Sequence, residues 1–178
     1  MHHQDGENPF VIRIEDNFFD EKMFTHIKQH VTTKLTFEPR YFENEERTKE
    51  NFCGSRFDWG KDKNLLDIFV KQAEKTFNLN IKKLFPDPGG IDMRNLPHFT
   101  PHVDECKLNI LVMLSGPTAV TNGTVFYTDE QLDIHVGFRE NRAVVFSSDK
   151  YHSQHASAVP NLRRYTASVF VEDYELVG

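Results

Sequence analysis

Cysteine is scarce in this chain, and long apolar runs are missing. The 178 residues include only Cys53 and Cys106. Two cysteines so placed make neither a disulfide framework nor a Cys-x-x-Cys metal pair, so each is expected to be a small buried group in a reducing compartment. No stretch approaches the ~20 consecutive apolar residues that a membrane helix needs. The polar opening Met1-His2-His3-Gln4 lacks the charged segment and apolar core of a secretory signal. The expectation is therefore a cytoplasmic protein with no membrane partner. Positive charge is also in deficit, with 21 Lys and Arg against 27 Asp and Glu, a net charge of -6. That balance argues against a phosphate-tracking face and hence against nucleic acid as a partner. Phenylalanine, by contrast, is abundant at 16 residues, enough for an aromatic-rich interior. The length suits one domain over 1–178 that buries a core without disulfides or a structural metal.

Element types follow from periodicity. Val11-Ile12-Arg13-Ile14 reads as a strand, stopped by Asp16-Asn17, residue types that commonly begin helices. From Asp20 to about Thr33, Phe24, Ile27 and Val31 fall at helical spacing. A second amphipathic helix is expected from about Asn64 to Phe77, with Leu65, Leu66, Phe69, Ala73 and Phe77 on one side. Between them, residues 34–62 show no clear period, and the charged run Glu43 to Glu50 reads as a solvated loop. Pro86-Asp87-Pro88-Gly89-Gly90 is a strong turn signal. After it come short β-like runs: Ile91–Leu96, Lys107–Leu114, Thr124–Thr128, Ile134–Phe138, Ala143–Ser147 and Arg164–Val171. The fold class expected from this order is α+β, mainly β, with a jelly roll as its body. Residues 1–85 would supply supporting helices and lid loops, and 86–178 the jelly-roll core.

The chemistry concentrates in three places. In an extended chain, residues i and i+2 share a face, so His102 and Asp104 in Pro101-His102-Val103-Asp104 can present an imidazole and a carboxylate to one ion. The pair alone is a common surface motif. A histidine past the β-branched run Ala143–Phe146, in Tyr151-His152-Ser153-Gln154-His155, would complete a two-His-one-carboxylate set. That set leaves neighbouring coordination positions open and suits Fe(II), whereas a closed four-ligand set would suit structural zinc. Arg164 and Thr166, again i and i+2, can face one pocket, where a guanidinium pairs with a carboxylate in bidentate fashion and a hydroxyl adds a hydrogen bond. Other polar residues read as ordinary. Arg163 suits a solvated edge, Arg94 a salt bridge, and His98 a loop. His26, His30 and His135 suit solvent-facing positions, and Asp129-Glu130 an exposed turn. Arg56 and Trp59 are candidates for a lid, with core packing the simpler role for Trp59.

The order His102-Val103-Asp104, Asn122-Gly123-Thr124-Val125-Phe126, Asn141-Arg142-Ala143-Val144-Val145-Phe146, Tyr151-His152 and Arg164-Tyr165-Thr166 resembles the 2-oxoglutarate/Fe(II) dioxygenase superfamily, in its prolyl-4-hydroxylase-like branch. The resemblance spans roughly Ile91 to Glu172 and implies a double-stranded β-helix with N-terminal supporting helices. It implies Fe(II), 2-oxoglutarate and O2 as cofactor and co-substrates. His102, Asp104 and a distal histidine would bind iron. The family spacing favours His152, with His155 the alternative. Arg164, helped by Thr166, would grip the far carboxylate of 2-oxoglutarate. One departure is the strand Leu108–Leu114, which lacks the tyrosine that often contacts the co-substrate; Asn95 or Tyr127 are candidates to replace it. The implied activity is hydroxylation of a prolyl residue in a peptide or protein, or of a small molecule, with specificity loops at 38–60 and 116–122. Two other readings compete: a cupin-like metal enzyme that does not use 2-oxoglutarate, and a non-catalytic jelly-roll binding module.

Overall fold

Two short polar signals start the helices of this protein. Asp20 accepts a hydrogen bond from the Met23 amide and opens α1 (Glu21–Thr33), and Asp62 accepts one from Leu65 and opens α2 (Lys63–Phe77). Each carboxylate satisfies an amide that the helix itself leaves unpaired. Helix α2 ends at Asn78, which takes a left-handed conformation that asparagine tolerates. The computed structural model describes residues 12–41, 52–95, 100–128, 131–155 and 163–178. Asp16 and Asn17 do not cap α1. Asp16 is gripped by Arg142 (2.7 Å) and Arg139 (3.0 Å), and Asn17 turns the chain with a positive φ.

Among the described residues, ten strands form two antiparallel sheets: β1 (Ile12–Glu15), β2 (Glu38–Tyr41), β3 (Phe52–Asp58), β4 (Leu79–Arg94), β5 (Leu108–Ser115), β6 (Gly123–Thr128), β7 (Gln131–Gly137), β8 (Arg142–Ser147), β9 (His152–His155) and β10 (Arg164–Leu176). The large sheet runs β1-β8-β5-β10-β4-β3-β2, and the small one β7-β6-β9. This mainly β architecture is a double-stranded β-helix with supporting helices, the fold expected from the sequence.

Alternation along the strands sorts side chains into two layers. On the outer face of the large sheet, Leu108, Ile110, Val112, Ala143, Val145, Ala167 and Val169 pack against Leu65, Leu66, Phe69 and Phe77 of α2 and Ile27 and Val31 of α1. Trp59, fully buried in a 3-10 turn, donates its indole N–H to the Ser168 carbonyl at 2.8 Å. On the inner face, Leu111, Met113, Val144 and Phe146 meet Phe126 and Val136 of the small sheet. Arg164, Thr166 and Ser168 of β10, Asp92 and Arg94 of β4 and Arg56 of β3 line a cavity.

The structure revises several expected elements. The Pro86–Gly90 cluster does not end a strand, because β4 runs from Leu79 through Arg94. Its partner β10 pairs Val169 with Gly89 and Val171 with Leu84, so two residues of β10 span five of β4. The prolines, which cannot donate to a ladder, sit in this bulge. Strands β2 and β3 lie within the aperiodic 34–62 region, and β9 carries the distal histidines. No helix of the described residues is long and apolar enough to cross a membrane.

Candidate metal centre

The segment leading into β5 and the start of β9 are joined by a two-residue bridge. His102 and His152 exchange backbone hydrogen bonds, each 2.9 Å, and the Asp104 amide donates to the Ser148 carbonyl at 3.1 Å. These bonds hold three side chains together. The His102 Nε2 lies 3.8 Å from Asp104 Oδ1, and His152 Nε2 lies 3.5 Å from Asp104 Oδ2. One ligand atom from each of the three falls within 4.8 Å of the others.

Both rings are oriented from behind. The Nδ1 of His102 lies 2.8 Å from the Thr100 carbonyl, and that of His152 lies 2.8 Å from the Lys150 carbonyl. Since a carbonyl only accepts, each Nδ1 is the donor, and in the neutral ring this tautomer turns the Nε2 lone pair inward. His152 is buried against the edge of the Phe146 ring, at 4.7 Å between centroids. Burial lowers its pKa, against the opposing pull of Asp104, which favours the neutral imidazole that a metal requires. Asn109, buried on β5, donates to Asp104 Oδ2 at 2.7 Å and fixes the carboxylate. The donor set therefore fits a metal such as Fe(II): two imidazoles, one carboxylate, and no fourth protein ligand among the described residues.

The same cavity, about 580 Å³, is lined by Arg164 and Thr166. Arg164 enters from the first residue of β10 and is only 6% exposed. Its guanidinium donates to the Gly123 carbonyl (2.5 Å), the Asn122 side chain (3.3 Å) and the Thr124 hydroxyl (3.3 Å), and lies over the Phe138 ring. None of these partners is a carboxylate, and its buried Nε has no hydrogen-bond partner among the described residues. Burial, and then the charge of Arg94, bring its pKa down to about 9. A buried cation without an anion is costly, and an anionic ligand would fit this position.

Other expected residues fall elsewhere. His155 is exposed, with its ring against His135 at 5.4 Å, away from the triad. His135 and His30 are half-buried rather than solvent-facing, since His135 lies under the neighbouring ring and His30 on the flank of α1; His26 is exposed. Asn95 is exposed and does not line the cavity. Tyr127 bonds Ser153 through its hydroxyl at 2.9 Å, and it too lies off the cavity wall. Arg163 is exposed. Arg56 grips Asp92 in a fork (2.8 and 3.0 Å), and Arg94 reaches the same carboxylate at 3.4 Å. Both cysteines are free, Cys106 buried and Cys53 half-buried. His98 and Asp129-Glu130 lie outside the described residues. Sequence reasoning missed Asn109 and Asp92. A lone polar residue at an inward position of each strand was the signal available.

Compared by sequence, the chain matches no family model and no curated protein. Compared by structure, it is similar to the non-haem alpha-ketoglutarate-dependent epimerase SnoN from nogalamycin biosynthesis, at a TM-score of 0.62 and 11% identity over 92% of this chain and 79% of that one. A prolyl hydroxylase from Trichoplax adhaerens, solved with a hypoxia-inducible-factor peptide, gives 0.62 and 13%, over 93% and 85%. EvdO2 from Micromonospora carbonacea var. aurantiaca, complexed with 2-oxoglutarate, gives 0.62 and 14%, over 100% and 94%. By architecture, then, the chain is a double-stranded β-helix protein of the kind found in 2-oxoglutarate/Fe(II) oxygenases.

Proposed function

We propose that this protein is a non-haem Fe(II)- and 2-oxoglutarate-dependent oxygenase, in which His102, Asp104 and His152 hold the metal and Arg164, with Thr166, holds the far carboxylate of the co-substrate. The observation that carries the reading is one cavity containing both a two-His-one-carboxylate cluster within 4.8 Å and a buried arginine without an acidic partner among the described residues. When bound, Fe(II) and 2-oxoglutarate would couple reduction of O2 and decarboxylation of the co-substrate to oxidation of a substrate C–H bond.

The chain's own residues position and shield that chemistry. The Thr100 and Lys150 carbonyls accept from Nδ1 of each ring, the tautomer that turns Nε2 toward the metal position. Asn109 holds Asp104 in register with them. Phe126 and Phe146 form the dry wall behind His152, limiting water at the centre. Thr166, on the same face of β10 as Arg164, offers a hydroxyl to the co-substrate carboxylate, replacing the donor that the tyrosine-free β5 does not supply. Hydroxylation is the expected outcome, on a prolyl residue of a peptide or on a small molecule. The structural relatives include one enzyme solved with a peptide and one complexed with nogalamycin RO, so they support either class.

Anaerobic titration with Fe(II) and 2-oxoglutarate tests this directly. A weak visible charge-transfer band should grow to one equivalent, persist in His155→Ala, and vanish in Asp104→Ala. Arg164→Ala should form the band only at much higher 2-oxoglutarate. An absent wild-type band at saturation would overturn the proposal, and unaltered co-substrate demand in Arg164→Ala would favour a metal enzyme that does not use 2-oxoglutarate.

A further inference from the structure

The cavity has a basic wall that continues from Arg164 past the proposed metal and co-substrate sites. Register places its residues in a row across four strands. Arg164 on β10 pairs with Arg94 on β4. Since Ser55 pairs with Met93, Arg94 lies beside Gly54 on β3, and Gly54 in turn pairs with Arg40 on β2. Strands lie about 4.8 Å apart, so this row reaches roughly 14 Å from Arg164. The next row holds Thr166, Asp92 and Arg56 in the same order. All of these residues line the one cavity.

Two glycines make room for the arginine stems. A Cβ on Gly54 would stand 2.9 Å from Arg94 Cγ, and Gly54 has a φ of +115° that side-chain-bearing residues rarely adopt. A Cβ on Gly90 would stand 2.9 Å from Arg56 Cγ. The arginine stems thus lie against bare backbone, and the side chains are largely buried, with Arg56 11% and Arg94 17% exposed.

The charges on this wall do not cancel. Asp92 satisfies the fork of Arg56 and meets Arg94 at a longer 3.4 Å, and the combined field of Arg94, Arg56 and Arg40 keeps it ionised despite full burial. Asp87 also lines the cavity, with Oδ1 accepting from the Gly89 amide. Arg40 has no hydrogen-bond or salt-bridge partner among the described residues. Among the described residues, the cavity lining carries four arginines against Asp87, Asp92 and Asp104, and Asp104 belongs to the metal cluster; the chain as a whole is acidic at -6. Selection for solubility does not explain basic charge concentrated in a concave site, whereas recognition of an anion does.

We propose that Arg40 and Arg94 form a second anion subsite, and that the substrate is a small molecule bearing a carboxylate, phosphate or sulfate group held there while its reacting carbon faces His102, Asp104 and His152. This rests on the oxygenase reading for the reacting end only. A cavity of about 580 Å³ suits a small organic acid alongside the co-substrate.

The test uses full-length protein loaded with redox-silent Mn(II) and one equivalent of 2-oxoglutarate, which occupies Arg164. Equilibrium dialysis with radiolabelled sulfate should show one saturable equivalent. Arg40→Ala should weaken it at least ten-fold, and Arg40→Lys should recover most of the loss. Arg94→Gln provides a second variant should Arg40→Ala fold poorly, and it should weaken sulfate similarly. Bound sulfate should be displaced by N-acetylalanine and not by N-acetylalaninamide. Absence of stoichiometric sulfate, or equal binding in wild type and both variants, would overturn the subsite. Displacement only by an end-blocked peptide with a central aspartate would overturn the small-molecule assignment. The anaerobic titration above is run in parallel. Loss of the chelate band with sulfate binding intact defeats the oxygenase reading alone, and the reverse defeats the subsite alone.

Discussion

Asn109 shows how much a single neutral side chain contributes to the metal cluster. Its amide fixes Asp104 Oδ2 at 2.7 Å, so Asn109→Ala should leave the fold intact while weakening metal affinity by about 10- to 100-fold, as measured by competitive chelation. Asp92 acts differently, because it is the carboxylate that the buried Arg56 grips and Arg94 also reaches. Asp92→Asn strands Arg56 without a carboxylate and should lower unfolding free energy by roughly 3 kcal/mol in urea titrations. The pH dependence has a definite sign. The arginines hold the Asp92 carboxyl below its ordinary value of 3.8, so protons bind the unfolded chain more readily than the folded one. Its contribution is complete above that value and is lost as pH falls through the depressed one. The stability gap between wild type and Asp92→Asn should therefore narrow below pH 3.8 and stay constant above it.

At the scale of elements, β4 carries the main departure from the linear reading. Pro86-Asp87-Pro88-Gly89-Gly90 has the composition of a turn, yet it lies inside a strand because β10 pairs on both sides of it. Gly90 is required there, since a Cβ would meet the Phe57 carbonyl and the Arg56 stem. Gly90→Ala should cost about 1–3 kcal/mol and shift the thermal midpoint down. Strand β9 was equally hidden: His-Ser-Gln-His has no apolar alternation, and it pairs through β6 and the bridge to His102. The helices were legible because their apolar faces and caps are local, although the α1 cap proved to be Asp20 and not the Asp16-Asn17 pair.

For the whole molecule, the two apolar layers separate stability from chemistry. The helix-facing core holds the large sheet, while the smaller inner core leaves the polar end of the cavity open. Metal should thus act as a ligand of an already folded scaffold. Mn(II) at 100 times its dissociation constant should stabilise wild type by about 2.7 kcal/mol, read as a raised thermal midpoint, and should have no effect on Asp104→Ala.

Spacing along the chain was enough to single out His102, Asp104, Arg164 and Thr166, because i and i+2 in extended backbone share a face whatever the partner strands do. It was also enough to place both helices and most later strands. The choice between His152 and His155 needed the tertiary structure, since both lie on one short strand and only pairing with β6 and His102 decides which ring enters the cavity. The row from Arg164 through Arg94 to Arg40 was likewise beyond the linear chain. It joins residues more than a hundred positions apart, and only the register of four hydrogen-bonded strands sets them on one wall.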